Sequence, residues 1–138
     1  MPIIELHGDA EDNGLANMLA TLMRQNLDDH PERAAAFAKM RGVIAIFAED
    51  AEVAVTIEAD GVRAVFRNGI VGIPDVTVRG GFEQIGDMSR MESLGPFPDP
   101  RGPVNRSMAA ALRDGRLRVF GLPRGLPILL AFGDVMAV

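Results

Sequence analysis

The sequence predicts an α+β fold with a mainly antiparallel sheet, and three observations carry that prediction. Residues 12–29 repeat apolar side chains at helical spacing. Residues 42–79 change to a period of two, broken by Asp-Gly and Asn-Gly turn pairs. The last third alternates helical and extended patterns between glycines and prolines. Strands joined by short hairpins pair antiparallel. Helices grouped outside the strand section give α+β rather than an alternating α/β order.

The elements follow in chain order. In 12–29, Leu15, Met18, Leu19, Leu22, Met23 and Leu27 form one apolar stripe, with Asp12 or Asn13 as the cap. Pro31 suits the first turn of a second short helix containing Phe37 and Met40, capped by Asp29 or His30. The run 42–48, GVIAIFA, is apolar on both faces and reads as a central strand. In 52–58, Val53, Val55 and Ile57 face one way and Thr56 and Glu58 the other. After the Asp60-Gly61 turn, 62–67 presents Val62, Ala64 and Phe66 inward and Arg63 and Arg67 outward. Residues 75–79 turn Val76 and Val78 inward, and a helix from about 82 to 91 follows. The stretch 92–104 is dense in Pro and Gly and reads as the one long loop. A helix over 104–114, a strand over 116–120 and an apolar helix opened by Pro127 complete the chain.

Length and composition narrow the function. The chain has 138 residues, enough for one domain, divided into an N-terminal helical region (1–41) and a sheet with covering helices (42–138). It lacks cysteine, so disulfides, thiol nucleophiles and thiolate metal sites are excluded. A net charge of −5 disfavours a nucleic-acid partner. The acidic N-terminus lacks signal-peptide order, and the C-terminal apolar run is too short to cross a bilayer and carries Asp134. The expected location is cytoplasmic. Trp and Tyr are absent while there are 8 Met and 7 Phe. Such an interior is pliable, which suits either a Met-tolerant core or a deformable apolar cavity.

The search for chemistry is largely negative. His7 and His30 have no His or Cys partner at metal-ligand spacing, so no metal or other cofactor is expected. Ser89, Ser93 and Ser107 lie outside any nucleophile elbow, and no phosphate-binding loop is present. No nucleophile–base pair appears, so the protein reads as a non-enzyme. Arg79-Gly80-Gly81 forms either an anion nest at a helix start or a simple strand-to-helix turn. The carboxylate pairs Asp28-Asp29, Glu49-Asp50 and Glu58-Asp60 fall at helix ends and turns. Arg113, Arg116, Arg118 and Arg124 make either a charged strand face or a patch for an anionic head group. The positive feature is apolar bulk. An inward sheet face faces three later apolar segments, and periodicity does not say whether they close on each other or enclose space.

Three stretches together resemble the sterol carrier protein-2 family: VAVTIEADGVRAVF (53–66), IPDVTVRGGFEQI (73–85) and MAAALRDGRLRVFG (108–121), before an apolar terminal helix. The resemblance covers about residues 37–137. It implies a five-stranded, mainly antiparallel sheet with helices on one face, and an apolar tunnel that binds and transfers lipid without catalytic residues. The chain departs from the family pattern in its Pro-rich 92–104 segment. It also ends without the peroxisomal signal of some members, which suggests a bacterial-type cytoplasmic protein.

The partner expected is therefore a lipid such as a fatty acid or acyl-CoA, with a sterol disfavoured by the lack of Tyr and Trp hydroxyl or N–H groups. Membrane contact is expected to be transient at most. The expected cavity lining is Phe82, Ile85, Met88, Met108, Leu112, Leu126, Leu129, Leu130 and Phe132. Arg79, Arg101 and Arg124 are the candidate head-group contacts. The rival expectation is an interaction module of the same fold, without a ligand cavity, that forms a homodimer or docks a partner.

Overall fold

A computed structural model of the chain describes residues 2–87, 93–94, 97–98 and 103–136. Strand β1 (Ile3–Leu6) leads through a 3-10 turn into α1 (Gly14–Asp29). A second 3-10 turn, Pro31–Arg33, precedes α2 (Ala34–Ala38). Strands β2 (Arg41–Ala48), β3 (Val53–Asp60), β4 (Arg63–Asn68) and β5 (Val76–Gly80) follow, then α3 (Phe82–Asp87). Two short strands, β6 (Ser93–Leu94) and β7 (Phe97–Pro98), pair as a ribbon where a plain loop is expected. Helix α4 (Pro103–Asp114), strand β8 (Leu117–Phe120) and helix α5 (Leu126–Met136) complete the described chain.

The main sheet has six strands in the order β1-β4-β3-β2-β5-β8, one more than expected. The extra strand is β1, which adds to the edge parallel to β4 and sets Ile4 beside Ala64 and Leu6 beside Phe66. A four-residue strand inside an acidic segment has too few residues to show a period. Three pairings are antiparallel and two, β1–β4 and β2–β5, are parallel. The second parallel pair arises because the 69–75 connection crosses from β4 to the far side of β2.

Register aligns the core in rows across the sheet. Phe66, Ile57, Ile44 and Val76 form one row, and Val55, Ile46 and Val78 the next. All seven are fully buried. Burying each such side chain stabilises by about 1.5–3 kcal/mol, which is why this face is helix-covered. The cover comes in two groups. Helix α5 packs against α2, α1, β2 and β5, while α4 packs against β8 and α3, and α3 also touches β5. The opposite face carries charged pairs, with Arg118 Nη2 donating to both Glu49 carboxylate oxygens at 2.6 and 2.8 Å and Arg63 3.4 Å from Glu5. On that face Thr56 is buried beneath the 69–75 connection, donating to the Gly69 carbonyl at 2.7 Å and accepting from the Val71 N–H at 3.0 Å.

Two buried asparagines fix the first helix. Asn13 caps α1 by accepting from the Ala16 N–H at 3.0 Å, and its amide donates to the Ala54 carbonyl and to Asn68 Oδ1 at 2.7 and 2.9 Å. Asn26 donates to the last carbonyls of α5, Val135 at 3.3 Å and Met136 at 2.9 Å.

Candidate functional site

At the strand-to-helix junction, residues 79–82, the sequence allows either an anion nest or a simple turn. The β2–β3 turn fills that position with the protein's own carboxylate. The Asp50 side chain accepts from the Phe82 N–H at 2.9 Å, and the Glu49 N–H donates to the Gly80 carbonyl at 2.8 Å. Gly80 is tightly approached: a Cβ there would sit 2.9 Å from Leu117 Cδ1 and 3.1 Å from the Arg116 carbonyl oxygen. Asp50 occupies the position at the Phe82 N–H that an external anion would take, which runs against the nest reading.

Beyond the junction, β5 forms the floor of a seam between the two helix groups. Val76 and Val78 line the floor, α3 and α4 stand on one side and α5 on the other. The middle of the seam is closed. Ile85 of α3 and Phe132 of α5 are buried within the same apolar cluster as Ala111, Leu117 and Ile128. Leu129 and Leu130 are half-buried. The ends differ. Phe82 and Leu112 are 38% and 48% exposed at the end where β5 finishes, and Leu126 is 40% exposed at the end where β5 begins. Met108 lies on α4 with its side chain outside the description, and Met88 and Arg101 fall outside the described residues.

The arginines separate. Arg79 lies on the face opposite the helices, 5.0 Å above the Phe47 ring and 3.8 Å from Glu49, because its neighbour Val78 occupies the inward position. It therefore points away from the seam. Arg116 pairs with Asp114 at 3.1 Å and Arg118 with Glu49, so the four-arginine patch expected from sequence is split between partners. Arg124 is exposed in the turn that opens α5, two residues before Leu126.

Other polar groups serve the backbone. His7 accepts from the Asp9 N–H at 3.3 Å as a cap, and His30 lies 3.5 Å from Glu32. The carboxyl of Asp60 is held below its ordinary value of 3.8 by the N–H groups of Arg63 and Val62, and that of Asp9 chiefly by the N–H of Asn68. No group of three metal-ligating side chains occurs among the described residues. Two open grooves lie away from the seam. One, of about 750 Å³, is bordered by Pro2, Ile4, Arg24, Leu27, Asp28, Pro31 and Ala34. The other, of about 320 Å³, lies by Gly42, Glu58 and Val65.

The motifs behind the family resemblance meet at one place that sequence reasoning missed. Asp75 Oδ2 accepts from the Val43 N–H at 2.8 Å while the Asp75 N–H donates to the Val43 carbonyl at 2.9 Å, fastening the start of β5 to β2. Gly121 and Gly125 press on the Asp75 carbonyl from the other side. A Cβ on Gly121 would overlap its oxygen, and one on Gly125 would lie 2.5 Å from it. The Pro-Asp-Val-Thr and Val-Phe-Gly motifs thus specify one interlocked corner. An Asp directly before a strand, and a Gly directly after one, are the signals that the sequence offers for it.

No family model matches the chain, and no curated protein matches it. Solved structures do. A structure titled "UbiJ-SCP2 Ubiquinone synthesis protein" superposes with a TM-score of 0.63 at 14% identity, covering 88% of this chain and 92% of its own. The sterol carrier protein domain 2 of Helicoverpa armigera gives 0.55 at 18% identity, covering 94% and 90%. Apo sterol carrier protein 2 from Yarrowia lipolytica gives 0.50 at 12% identity, covering 93% and 98%. No helix among the described residues is long and apolar enough to cross a membrane. The order of strands, the helix-covered face and these superpositions agree: this chain has the sterol carrier protein 2 fold.

Proposed function

We propose that the protein binds an apolar lipid, with a fatty acid or fatty acyl chain as the preferred ligand, in the seam between α3–α4 and α5, and that it does so without catalysis. The observation that carries this reading is the exposure of Phe82, Leu112 and Leu126 at the two ends of a seam whose middle is apolar. A chain lying over β5 would part α3–α4 from α5 and contact Ile85, Leu129, Leu130 and Phe132. Arg124 beside Leu126 is the candidate partner for a carboxylate. Burying about ten methylenes at about 0.8 kcal/mol each contributes about 8 kcal/mol, from which the costs of association and of parting the helices are subtracted.

The test is titration of delipidated protein with a fluorescent fatty acid. Saturable micromolar binding is expected, weakened at least tenfold by Leu129→Arg. Absence of saturable binding, or no effect of Leu129→Arg, overturns the proposal. Native mass spectrometry of freshly purified protein separates it from the homodimer reading, which requires a stable dimer without co-purifying lipid. One observation favours a second ligand: a similar structure bears a title naming ubiquinone synthesis. Displacement of the fluorescent fatty acid by a polyprenyl chain at lower concentration than by oleate would select it.

A further inference from the structure

The interlocked corner at Asp75 has a second face. Because Gly121 and Gly125 rest on the Asp75 carbonyl, the 73–75 turn and the 121–125 turn are clamped side by side at one end of the sheet. Apolar side chains crowd this corner without cover. Ile73 is 94% exposed, Phe120 49%, Leu122 48% and Leu126 40%. Single exposed apolar residues are ordinary, but Ile73 and Leu122 on the two joined turns, with Leu126 opening α5 on the helix side and Phe120 ending β8 on the other face, concentrate apolar surface at this end of the sheet. Charge here runs against the −5 of the whole chain. Arg124 sits between Leu122 and Leu126, and the neighbouring start of β2 adds Lys39 and Arg41, all exposed. The two nearby carboxylates, Asp75 and Asp60, accept respectively from the Val43 N–H at 2.8 Å and from the Val62 and Arg63 N–H groups at 2.9 and 2.7 Å; these bonds do not neutralise them, and the three cations still outnumber them. Toward β1 the same end turns acidic, with Asp28 bordering the Pro2–Ile4 groove and Glu32 near Pro31.

We infer that the β5–β8 half of this end is a docking surface for the interface of an anionic lipid bilayer. Ile73 and Leu122 enter the acyl boundary while Arg124, Lys39 and Arg41 meet the head groups. The surface stands at the first turn of α5, so docking would set one end of the proposed lipid seam against the membrane. A second copy of the chain is a poorer occupant, since a symmetric contact would bring like charges together.

The test is co-sedimentation of the full chain with vesicles of phosphatidylcholine alone and of equimolar phosphatidylglycerol and phosphatidylcholine. Binding is expected chiefly to the anionic vesicles. Ile73→Glu and Leu122→Glu should each lower the partition about tenfold or more while retaining the wild-type circular dichroism. Arg124→Gln should lower it about fivefold on anionic vesicles only. Vesicle binding unchanged in both glutamate variants overturns the inference. So does wild-type dimerisation abolished by Ile73→Glu without vesicle binding, which would make the patch a self-interface. Fatty-acid titration of Ile73→Glu in solution separates the two proposals. Intact vesicle docking by a protein that binds no fatty acid would sink the seam and leave the docking surface. The converse result would sink the docking surface alone.

Discussion

A matched pair of substitutions, Gly121→Ala and Gly115→Ala, measures how tightly the Asp75 corner is built. Both glycines have positive φ, +98° and +79°, so alanine is strained at each. That strain costs about 1–2 kcal/mol. The surroundings differ. A methyl group added at Gly115 meets no atom within 4 Å, whereas a Cβ on Gly121 would overlap the Asp75 oxygen and come within 3.1 Å of Val76 Cα. Relief requires β8 or β5 to move. Overpacking of this kind costs about 1–3 kcal/mol, and a displaced Asp75 would give up its bond to Val43 for about 1 kcal/mol more. The expected costs are therefore about 1–2 kcal/mol for Gly115→Ala and about 3–6 kcal/mol for Gly121→Ala. Urea unfolding at a common m-value reads the difference directly. In a melt the two should separate by roughly 8–12 °C. Equal stabilities for the two variants would refute the close approach at the corner.

Four further expectations follow from the caps and titrating groups. Asn13→Ala should destabilise by about 2–3 kcal/mol, since it removes a buried helix cap and two partly buried hydrogen bonds. Asn13→Asp should be no better at neutral pH despite keeping the cap, because a carboxylate then faces the Ala54 carbonyl and Asn68 Oδ1; a wild-type melt for that variant would show that capping is all Asn13 does. Asn26→Ala should free the end of α5, and hydrogen exchange should quicken in α5 and α1 together; quickening in α1 alone would contradict the link. The depressed carboxyls of Asp60 and Asp9 contribute stability that is full above their ordinary value of 3.8 and is lost as pH falls through the lower folded values. Asp60→Asn can still accept both N–H groups, so it should flatten the acid limb of the stability profile between pH about 5 and about 2. An unchanged limb would argue against it.

Much of the architecture is readable because local pattern and burial agree here. The five strands with a period of two, the Asn13 cap and the helix ends near Asp29 and Asp114 all lie where spacing puts them. Two of the failures share one cause, distance along the chain. β1 gains its partner only at residues 63–66, and the parallel β2–β5 pair depends on a connection that crosses two strands. Alternation alone places Val62 inward, but it occupies the hairpin turn and is 59% exposed. Among the site residues, Ile85 and Phe132 lie in the buried middle of the seam and Phe82, Leu112 and Leu126 at its ends, a division that helical spacing cannot express. Arg79 shows the opposite lesson. Strict alternation from Val78 already implies the far face, and a head-group role for Arg79 runs against it.

The grip of Asn26 on the Val135 and Met136 carbonyls joins positions 109 and 110 residues apart. The meander β2–β3–β4 is contiguous and can close early, and α1 can settle on β1, β3 and β4 with it. Its contact with α5 comes last, once the final turn of α5 has been made. The side of α1 that α5 covers is therefore open longest, and loss of the last turn of α5 should expose that side at the other end of the sequence.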